Sequence, residues 1–572
     1  MPAMVKKPPN LLYGVEEKPP SWVVLLLGVQ HIGIIAIGLI FPVVVVQEMG
    51  GGVADAARMV SVSMIAAGIG VMAQAWGRGP VGSGYLCPQL CGPSFLGASI
   101  LAAKTGGLSL VFGMTALVGL FELAFSRLVR RLRVLFPAEV TGLIVMMVGI
   151  SVTGLAMRMF FGARAANPEL REEEIFVAVA TLAGMIGMNV WSRGRLRLFC
   201  ILIGMGLGYG LSFLAGVLTP DQLARVRDGA WLASPLAGHP GWSFQAGLAV
   251  PFLIAILCST LKSVGDLTTC QKINDPDWKR PDLNRIGNGV MANSFGVISA
   301  GLLGGMGQSA SSANVGLSVA TGATSRVIAH AIGGLLFVLA FCPKLATVFA
   351  IMPAPVMGAT LIFALSFMVV AGIQIIMSRM LDARKTFVVG IAMIVGIGVD
   401  VAPEIFHAFP HWLQPVFHSS LSAATLLAIL LNLVFRVGVA SKAGVELAPG
   451  PDASEHVFAF MQRQGGLWGA RKEVIDKAAA AADEFMEAVR EHELTRAPVR
   501  LEARFDEYRL ELEFSYRGRA MDFPESRPEP GELLQDPRAM DRMAGYLVRR
   551  YADKISATRH DEVCRVRLSF EH

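Results

Sequence analysis

Hydrophobic residues in this chain gather in long uninterrupted runs instead of alternating with polar residues. Fourteen such runs occur, and most are close to the roughly 20 residues that a membrane-spanning helix needs. They lie near residues 22–41, 58–76, 82–101, 106–126, 135–157, 174–192, 198–217, 246–268, 286–305, 308–323, 325–349, 354–377, 385–401 and 419–436. The pattern predicts an all-α polytopic membrane protein with fourteen transmembrane segments.

The fourteen segments divide into two sets of seven, at residues 21–217 and 218–440. An odd number per set makes the second set run in the opposite sense to the first, so the pattern predicts 7+7 inverted repeats. Lysine and arginine residues follow the fourth, sixth, eighth and twelfth segments and precede the first. Because positive residues concentrate in cytoplasmic loops, both termini are predicted to be cytoplasmic, including an N-terminal tail at residues 1–20.

The third and tenth segments are interrupted by small and polar residues. Residues 82–99 and 308–326 are rich in Gly, Ser, Ala, Asn and Thr. Such backbone is tolerated at membrane depth where it is buried in protein or lines a cavity. Paired interruptions in two halves of a transporter indicate its binding site, with half-helix N-termini near the bilayer midplane. We expect the second half-helix to begin near Asn314.

The overall composition supports a membrane protein and excludes several other classes. Hydrophobic residues make up 53% of the chain and charged residues 16%, with a mean hydropathy of +0.54. The net charge of +6 comes from residues scattered over loops and tail, which argues against nucleic-acid binding. The seven cysteines have no further metal ligands nearby, so we expect buried thiols and no metal site.

The composition changes abruptly near residue 440 and becomes rich in charged residues. Residues 441–466 are predicted as a linker, and residues 467–572 as a cytosolic α/β sandwich domain. Within it we expect a helix at 471–492, strands at 499–505 and 508–515, and a last strand at 564–570. Another helix is predicted to end near Ile555, with Asp536 as its N-cap and Pro537 at its first position.

Several local patterns together resemble the nucleobase–ascorbate transporter family, or nucleobase:cation symporter-2, which includes bacterial uracil and xanthine permeases. They are Gln30 and His31, residues 136–142 (Phe-Pro-Ala-Glu-Val-Thr-Gly), Gly265 and Asp266, Asn314 with Gly316, Thr321 and Gly322, and residues 352–358 (Met-Pro-Ala-Pro-Val-Met-Gly). The resemblance implies a transporter and not an enzyme, placed in a bacterial-type inner membrane as a homodimer. It also implies a core domain (segments 1–4 and 8–11) that moves against a gate domain (5–7 and 12–14), with substrate between the broken segments 3 and 10.

Two positions depart from the family pattern. Lys262 stands where nucleobase permeases usually carry a glutamate, and Ala313 stands where they carry Glu, Gln or Pro. Lys262 is therefore predicted to bind an anionic substrate group, since an ammonium inside a membrane helix normally faces a cavity or a partner. The alternative is an ion pair with Asp266, four residues on. Asp266 is itself a candidate carrier of the coupling cation.

The remaining candidate site residues lie in the first, third, fourth and tenth segments. Ser94 and Phe95 are predicted to contact substrate, where Phe95 either stacks on it or only packs, and Ser312, Ala313 and Asn314 form the facing contact. Asn314 either orients substrate or caps its half-helix. His31 either relays protons or forms a polar crosslink. Glu122 is a candidate relay, or is hydrogen-bonded to a neighbour.

The tail's predicted element order resembles the nucleotide-binding fold of anti-sigma factors and histidine-kinase ATPase domains. The fold's magnesium-binding Asn and adenine-binding Asp are replaced here, because the chain has Glu484 with Ala488, and Tyr516 with Gly518. The resemblance implies a degenerate module that serves regulation or dimer contacts. A plain stabilising domain is the alternative.

These observations predict a secondary active transporter that uses alternating access. Its expected solute is nucleobase-like or a small anion, carboxylated or planar, moved with a proton or sodium ion and without a bound cofactor. No Walker A sequence is present to support ATP-driven transport. The alternatives are a conventional purine or pyrimidine permease with rearranged contacts, and a membrane sensor that signals through the tail. The expected partners are the solute, the lipid bilayer and a second copy of the chain.

Overall fold

The computed structural model divides into two compact units, residues 1–432 and 433–572. It describes residues 8–9, 11–77, 79–127, 137–162, 170–192, 199–276, 281–377, 381, 383–410, 414–417, 419–435, 441–468, 470, 472–506, 509–528, 537–560 and 562–571.

The first unit is almost entirely helical. Its first half contains α1 (Ser21–Ile35), α2 (Ile40–Glu48), α3 (Val53–Ala75), strand β1 (Gln89–Cys91), α4 (Leu96–Phe125), α5 (Ala138–Ser151), α6 (Thr153–Phe160), α7 (Glu172–Trp191), α8 (Cys200–Leu214) and α9 (Pro220–Asp228). Its second half contains α10 (Ala249–Asn274), α11 (Leu283–Leu303), strand β2 (Gln308–Ala310), α12 (Ser312–Thr321), α13 (Arg326–Ala340), α14 (Pro343–Ala350), α15 (Ala354–Ile376), α16 (Ala383–Val401), α17 (Pro403–His407), α18 (Gln414–Phe417) and α19 (Ser420–Phe435).

Every one of the fourteen predicted segments contains helix in the described part of the chain. Among the described residues, eight helical spans are long and apolar enough by themselves to cross a membrane, or nine if the bent pair α13 and α14 forms one span. The helices α8 and α19 are apolar but shorter. The chain is therefore a multi-pass helical membrane protein, and the count of fourteen spans remains a prediction.

The helices pack chiefly within two groups. In one group, α4 packs against α11 and α3 packs against both α11 and α13. In the other, α15 packs against α5, α6 and α7, and α7 packs against α8. Glycines allow the close approach in each group, since a Cβ on Gly301 would lie 2.3 Å from the Ala116 nitrogen and one on Gly142 would lie 2.7 Å from the Gly372 oxygen. Small residues at such crossings are typical of membrane helices.

Two of the predicted segment boundaries change in the structure. The third and fourth segments share helix α4, which is interrupted at Gly106 and Gly107 instead of being separated by a loop. Gly107 has φ 72° and ψ −168°, a conformation that is open to glycine but not to residues with a side chain. The eleventh segment was predicted as one helix and is two, bent by 84°. Pro343 explains the break, because the residue before a proline is driven into an extended conformation, as Cys342 is here.

The second unit is an α/β sandwich. Its elements are β3 (Ser441–Leu447), α20 (Ala453–Trp468), α21 (Lys472–Glu491), β4 (Val499–Phe505), β5 (Arg509–Arg517), α22 (Pro537–Tyr551), β6 (Lys554–His560) and β7 (Val563–Glu571). The strands form one antiparallel sheet in the order β3-β4-β5-β7-β6. One face of the sheet packs on the helices, and the rings of Phe485 and Phe514 meet there at 4.3 Å between centroids.

The structure corrects the predicted linker and adds strands to the tail. Residues 441–466 contain strand β3 and most of helix α20 instead of a linker. Strand β3 shows little hydrophobic patterning, because it is an edge strand, and among the side chains described at residues 442–447 Leu447 alone is fully buried. The helix that was predicted to run to Ile555 ends at Tyr551, and β6 follows it. The predicted N-cap Asp536 lies outside the described residues.

Ala488 and Gly518, which were compared with the nucleotide-binding residues of ATPase folds, are both tightly packed in the second unit. Ala488 is buried in the core of the unit, so this position of α21 faces away from solvent. Gly518 lies so close to the Leu494 carbonyl that a Cβ would be 2.0 Å from its oxygen. Burial, followed by the carboxylates of Glu487, Asp483 and Glu491, raises the pKa of Glu484. The resemblance to a degenerate nucleotide-binding module stays a prediction.

Candidate functional site

The two interrupted segments meet as a two-stranded antiparallel ribbon inside the first unit. Gln89 pairs with Ala310, Leu90 with Ser309 and Cys91 with Gln308. A helical segment begins within three residues of each strand's end: Pro93 starts the turn that leads into α4, and Ser312 starts α12. Each interrupted segment is therefore an extended piece that runs into a half-helix, in agreement with the half-helices that the sequence predicts.

Ser311, and not Asn314, caps the second half-helix. The Ser311 hydroxyl accepts a hydrogen bond from the Asn314 backbone N–H at 3.4 Å, and Ser311 has the extended backbone of an N-cap residue. The half-helix begins at Ser312, two residues before the predicted start. Asn314 lies inside the first turn, so the prediction of Asn314 as the cap was wrong.

Asn314 instead joins the half-helix to the first helix of the chain. Its side-chain oxygen lies 2.8 Å from His31 Nδ1, and its side-chain nitrogen donates to the Ser311 hydroxyl at 2.9 Å. Both His31 and Asn314 are fully buried. The polar crosslink that was one of two interpretations of His31 is thus present. The other ring nitrogen of His31, Nε2, is buried without a hydrogen-bond partner among the described residues.

Helix α10 runs alongside strand β2 and the start of α12. The Ser259 hydroxyl donates to the Gln308 carbonyl at 3.3 Å, and the Lys262 ammonium donates to the Ala310 carbonyl. Lys262 Nζ also lies 3.8 Å from Asp266 Oδ2, with the two side chains 18% and 10% exposed. The predicted ion pair therefore exists, and Lys262 also binds the backbone of the broken segment.

Asp266 faces the first turn of α12. Its carboxyl lies within hydrogen-bonding reach of the Ser312 hydroxyl. Its Oδ2 atom is buried and has no hydrogen-bond partner among the described residues. Ser312 and Ala313 are themselves exposed on the surface of the half-helix. The pair is thus held at the end of the ribbon, with Asp266 Oδ2 facing the Lys262 ammonium at 3.8 Å.

A cavity of about 130 Å³ opens beside the start of the first half-helix. Its walls include Pro93 and Ser94, together with Ser151, Pro251, Asp400 and Ser420 from four other helices. A smaller cavity of about 10 Å³ also touches Pro93 and Ser94 and is lined by Lys262 and Ser309. The hydroxyls of Ser94 and Ser309 are buried without hydrogen-bond partners among the described residues. Ser94 therefore borders both cavities with an unpaired polar atom.

Phe95 has a packing position in this structure. It is completely buried, and its ring covers the backbone of the ribbon, because a Cβ on Gly307 would lie 2.7 Å from the ring and one on Gly92 would lie 3.0 Å from it. Phe95 is not among the residues that line either cavity. Of the two interpretations, packing is the one that the geometry shows.

Residues 23–405 match the xanthine/uracil permease model, which is described as "Permease family". The chain belongs to this permease family.

Two xanthine permeases of Escherichia coli K12 are among its curated relatives. XanP is 26% identical over 440 residues, covering 74% of this chain and 95% of XanP. XanQ is 28% identical over 443 residues, covering 75% of this chain and 94% of XanQ. Among solved structures, the murine Slc26a9 anion transporter in its inward-facing state aligns with a TM-score of 0.49 at 10% identity, covering 76% of this chain and 71% of that one. The family model and the xanthine permease relatives identify this permease as a membrane transporter and not an enzyme.

Glu122 of this permease belongs to a separate buried cluster. Its Oε1 accepts hydrogen bonds from the Thr260 hydroxyl at 2.7 Å and from the Asn293 side-chain nitrogen at 2.9 Å. Asn293 also reaches Oε2 at 3.1 Å. The cluster joins helices α4, α10 and α11. Its α10 member, Thr260, lies two residues before Lys262. Glu122 is thus hydrogen-bonded to neighbours, as one of its two interpretations predicted.

The structure also brings forward site residues that the sequence interpretation missed. Asp400 and Ser420 line the larger cavity of the permease and lie within hydrogen-bonding reach of each other. Ser309 lines the smaller one, and Ser311 caps the half-helix. A sequence signal exists for the first pair, namely an acidic residue late in one apolar segment and a serine-rich start of the next. Asp400 and Ser420 are far from Ser94 in sequence, so the sequence gives no sign that the three residues line one cavity.

Proposed function

We propose that this permease is a secondary active transporter that moves a nucleobase-like or small anionic, planar solute with a proton or sodium ion. The observation that carries the proposal is the Lys262–Asp266 pair, held against the ribbon next to cavities that Ser94 borders. Buried polar atoms normally have partners, so the unpaired hydroxyls of Ser94 and Ser309 favour a polar ligand there.

The chemistry of the pair suits a planar solute with acceptor atoms. An ammonium has three donors, and Lys262 uses one on the Ala310 carbonyl. Its remaining donors, the two serine hydroxyls and the positive ends of the half-helices all favour oxygen acceptors or negative charge. The relatives are named as xanthine permeases, which makes a nucleobase-like ring the first class of solute to test.

Alternating access is supported by the two helix groups. The group that contains α3, α4, α11 and α13 corresponds to the core implied by the family resemblance, and the group around α15 corresponds to the gate. The larger cavity lies between Ser94 of the first group and Ser151 of the second. We further propose fourteen spans in 7+7 inverted repeats, cytoplasmic termini, an inner-membrane location and a homodimer.

Asp266 and His31 are the proposed groups for ion coupling. Asp266 Oδ2 and His31 Nε2 are both buried polar atoms without hydrogen-bond partners in the described part of the chain. A carboxylate oxygen accepts either a proton or a sodium ion, and binding of either would weaken the attraction between Asp266 and Lys262. Loading of the coupling ion would thereby release the Lys262 ammonium toward the solute.

The solute class is tested by ligand-dependent thermal stability of the purified permease. A ligand at a hundred times its Kd stabilises the folded state by about 2.7 kcal/mol. We expect a rise in melting temperature with xanthine, uracil or urate, or with small aromatic carboxylates. A response to carboxylates alone identifies an anion transporter, and a response to neutral nucleobases alone identifies a conventional permease with rearranged contacts. No response to any of these ligands contradicts the proposal.

Removal of the tail is expected to leave transport largely intact. The second unit has its own hydrophobic core around Phe485 and Phe514, and β3 begins at Ser441. A chain that ends at residue 440 should therefore keep uptake within about threefold of the full chain, as measured with radiolabelled xanthine in cells and normalised to membrane expression. Loss of all uptake at normal expression would contradict this. A sensor that signals through the tail would show no uptake in either the full or the shortened chain.

A further inference from the structure

The chain ahead of the first helix folds back onto the end of the second half-helix. The backbone N–H groups of Leu12 and Tyr13 both donate to the Gly322 carbonyl, at 2.8 and 3.0 Å. The Thr324 N–H then donates to the Tyr13 carbonyl at 2.8 Å. The Arg326 N–H donates to the Val15 carbonyl at 3.1 Å. Residues 11–17, called here the N-terminal strap, therefore form a short parallel pairing with residues 322–326.

The strap supplies hydrogen-bond donors to the C-terminal end of α12, a helix that would otherwise be weak. Helix α12 has only ten residues, and a helix of that length is marginal by itself. Gly322 ends it in a left-handed conformation at φ 64°, and the Ala323 N–H bonds back to the Ser318 carbonyl at 3.2 Å. The Gly322 carbonyl accepts two hydrogen bonds from the strap, from the backbone N–H groups of Leu12 and Tyr13.

The same piece of chain also holds the opposite end of α12. The strap leads directly into α1, and His31 of α1 bonds Asn314 in the first turn of α12 at 2.8 Å. Residues 11–31 therefore contact the half-helix at both ends, at Asn314 and at Gly322. The Thr324 hydroxyl adds a contact to Asn274 at the end of α10, at 2.7 Å. Thr324, whose backbone N–H bonds the Tyr13 carbonyl, thus links the strap to the helix that carries Lys262.

Arg326 extends this connection to the other broken segment. Its Nε donates to the Gly84 carbonyl at 2.7 Å, five residues before β1, and its Nη2 pairs with Glu16 of the strap. The guanidinium lies so close to Gly77 that a Cβ there would be 2.6 Å from Nη1. The Arg326 side chain is 24% exposed, whereas that of Glu16 is 78% exposed. The contact with Gly84 is therefore the better shielded of the two.

We propose that the N-terminal strap and Arg326 are positioning elements of the transport site. They set the position of α12 relative to β1 and α10, and so the position of Ser309 and of the Ala310 carbonyl that binds Lys262. Arginine suits this role because its planar fork serves Gly84 and Glu16 together. The inference rests on the proposed function for its effect on transport, but its effect on α12 is measurable without any solute.

Hydrogen exchange of the purified full chain tests the effect on α12. In Arg326→Gln we expect amides of residues 314–321 to exchange at least tenfold faster than in the unmodified chain, with α15 unchanged as the internal reference. Glu16→Gln is the matched control and should change exchange less than twofold, because an exposed ion pair contributes little. Unchanged exchange of α12 in Arg326→Gln overturns the proposal.

A second variant covers the case in which Arg326→Gln does not fold. Tyr13→Pro removes one N–H donor to Gly322 and leaves the arginine in place, and we expect it to speed exchange at the C-terminal half of α12. Exchange that is unchanged there, in a folded protein, also overturns the proposal.

Uptake of radiolabelled xanthine separates positioning from a general loss of stability. We expect Arg326→Gln to raise KM about tenfold with a smaller change in the maximal rate, and Arg326→Lys to recover part of the loss. A reduced maximal rate at unchanged KM contradicts positioning. Absence of xanthine uptake by the unmodified chain would count against the proposed solute, and hydrogen exchange would then decide the inference alone.

Discussion

Replacement of Lys262 by alanine is expected to lower uptake of the solute at subsaturating concentration about 10- to 150-fold. A hydrogen bond to a charged group contributes about 1.5–3 kcal/mol, which corresponds to that range. Lys262 is 18% exposed and lines the smaller cavity that Ser94 also borders, so its ammonium lies next to the proposed solute site. The measurement is the initial rate of radiolabelled xanthine uptake, normalised to the amount of permease in the membrane.

Two controls distinguish solute binding from loss of a structural ion pair. Lys104→Ala removes a lysine that pairs with Glu48 at 2.6 Å but is 49% exposed, and it should leave uptake unchanged. The double variant Lys262→Ala with Asp266→Ala removes both charges of the pair. If Lys262 serves only to neutralise Asp266, the double variant regains the uptake that the single variant lost. Full recovery would therefore refute solute binding by Lys262.

Replacement of Glu122 by alanine is expected to destabilise the membrane unit by about 2–4 kcal/mol. The change removes the acceptor for the Asn293 side chain at 2.9 Å and leaves a cavity between three helices. Thr260 suffers less, because its single hydroxyl hydrogen has a second acceptor in the Ile256 carbonyl, 2.9 Å away. The measurement is thermal unfolding of the purified permease in detergent.

The variant Glu122→Gln separates a structural from a relay function. A glutamine keeps an acceptor oxygen and the side-chain volume but cannot carry a proton, so stability should recover to within about 1 kcal/mol. Proton- or sodium-driven accumulation is then the second readout. Accumulation at the normal level identifies a structural cluster, and its loss in a stable protein identifies a relay. Ser126→Ala, one turn further on at the C-terminal cap of α4, is the matched control and should alter neither.

Sequence patterns within single segments were sufficient to predict the helical segments and one side-chain contact, the Lys262–Asp266 pair. The fourteen apolar runs each contain helix, since a run of about 20 such residues has few other stable states in a bilayer. The Lys262–Asp266 pair followed from a spacing of four on a helix, which places both side chains on one face. The broken segments were recognisable because small polar residues replaced the apolar pattern.

Sequence patterns within single segments did not predict the N-cap of α12, for which two candidate residues are close in sequence. They also did not predict the strands at the edges of the sheet. Ser311 and Asn314 are both good caps by residue type, and the bond from Asn314 to His31 decided between them. Strands β3 and β6 were missed because they lie at the two edges of the sheet and bury few side chains. The pairing of their backbones with β4 and β7 defines them, and that pairing has no signature in residue type.

The sequence by itself determined that this is a helical membrane transporter of the permease family, because hydrophobic length, periodicity and short motifs are properties of contiguous residues. Only the tertiary structure decided which of those residues meet. Ser94 lies near Asp400 and Ser420, Glu122 binds Asn293, and the strap binds Gly322, across separations of about 170 to 330 residues. Such contacts depend on how whole helices pack, and packing energy is shared among many side chains instead of being recorded at the two positions that touch.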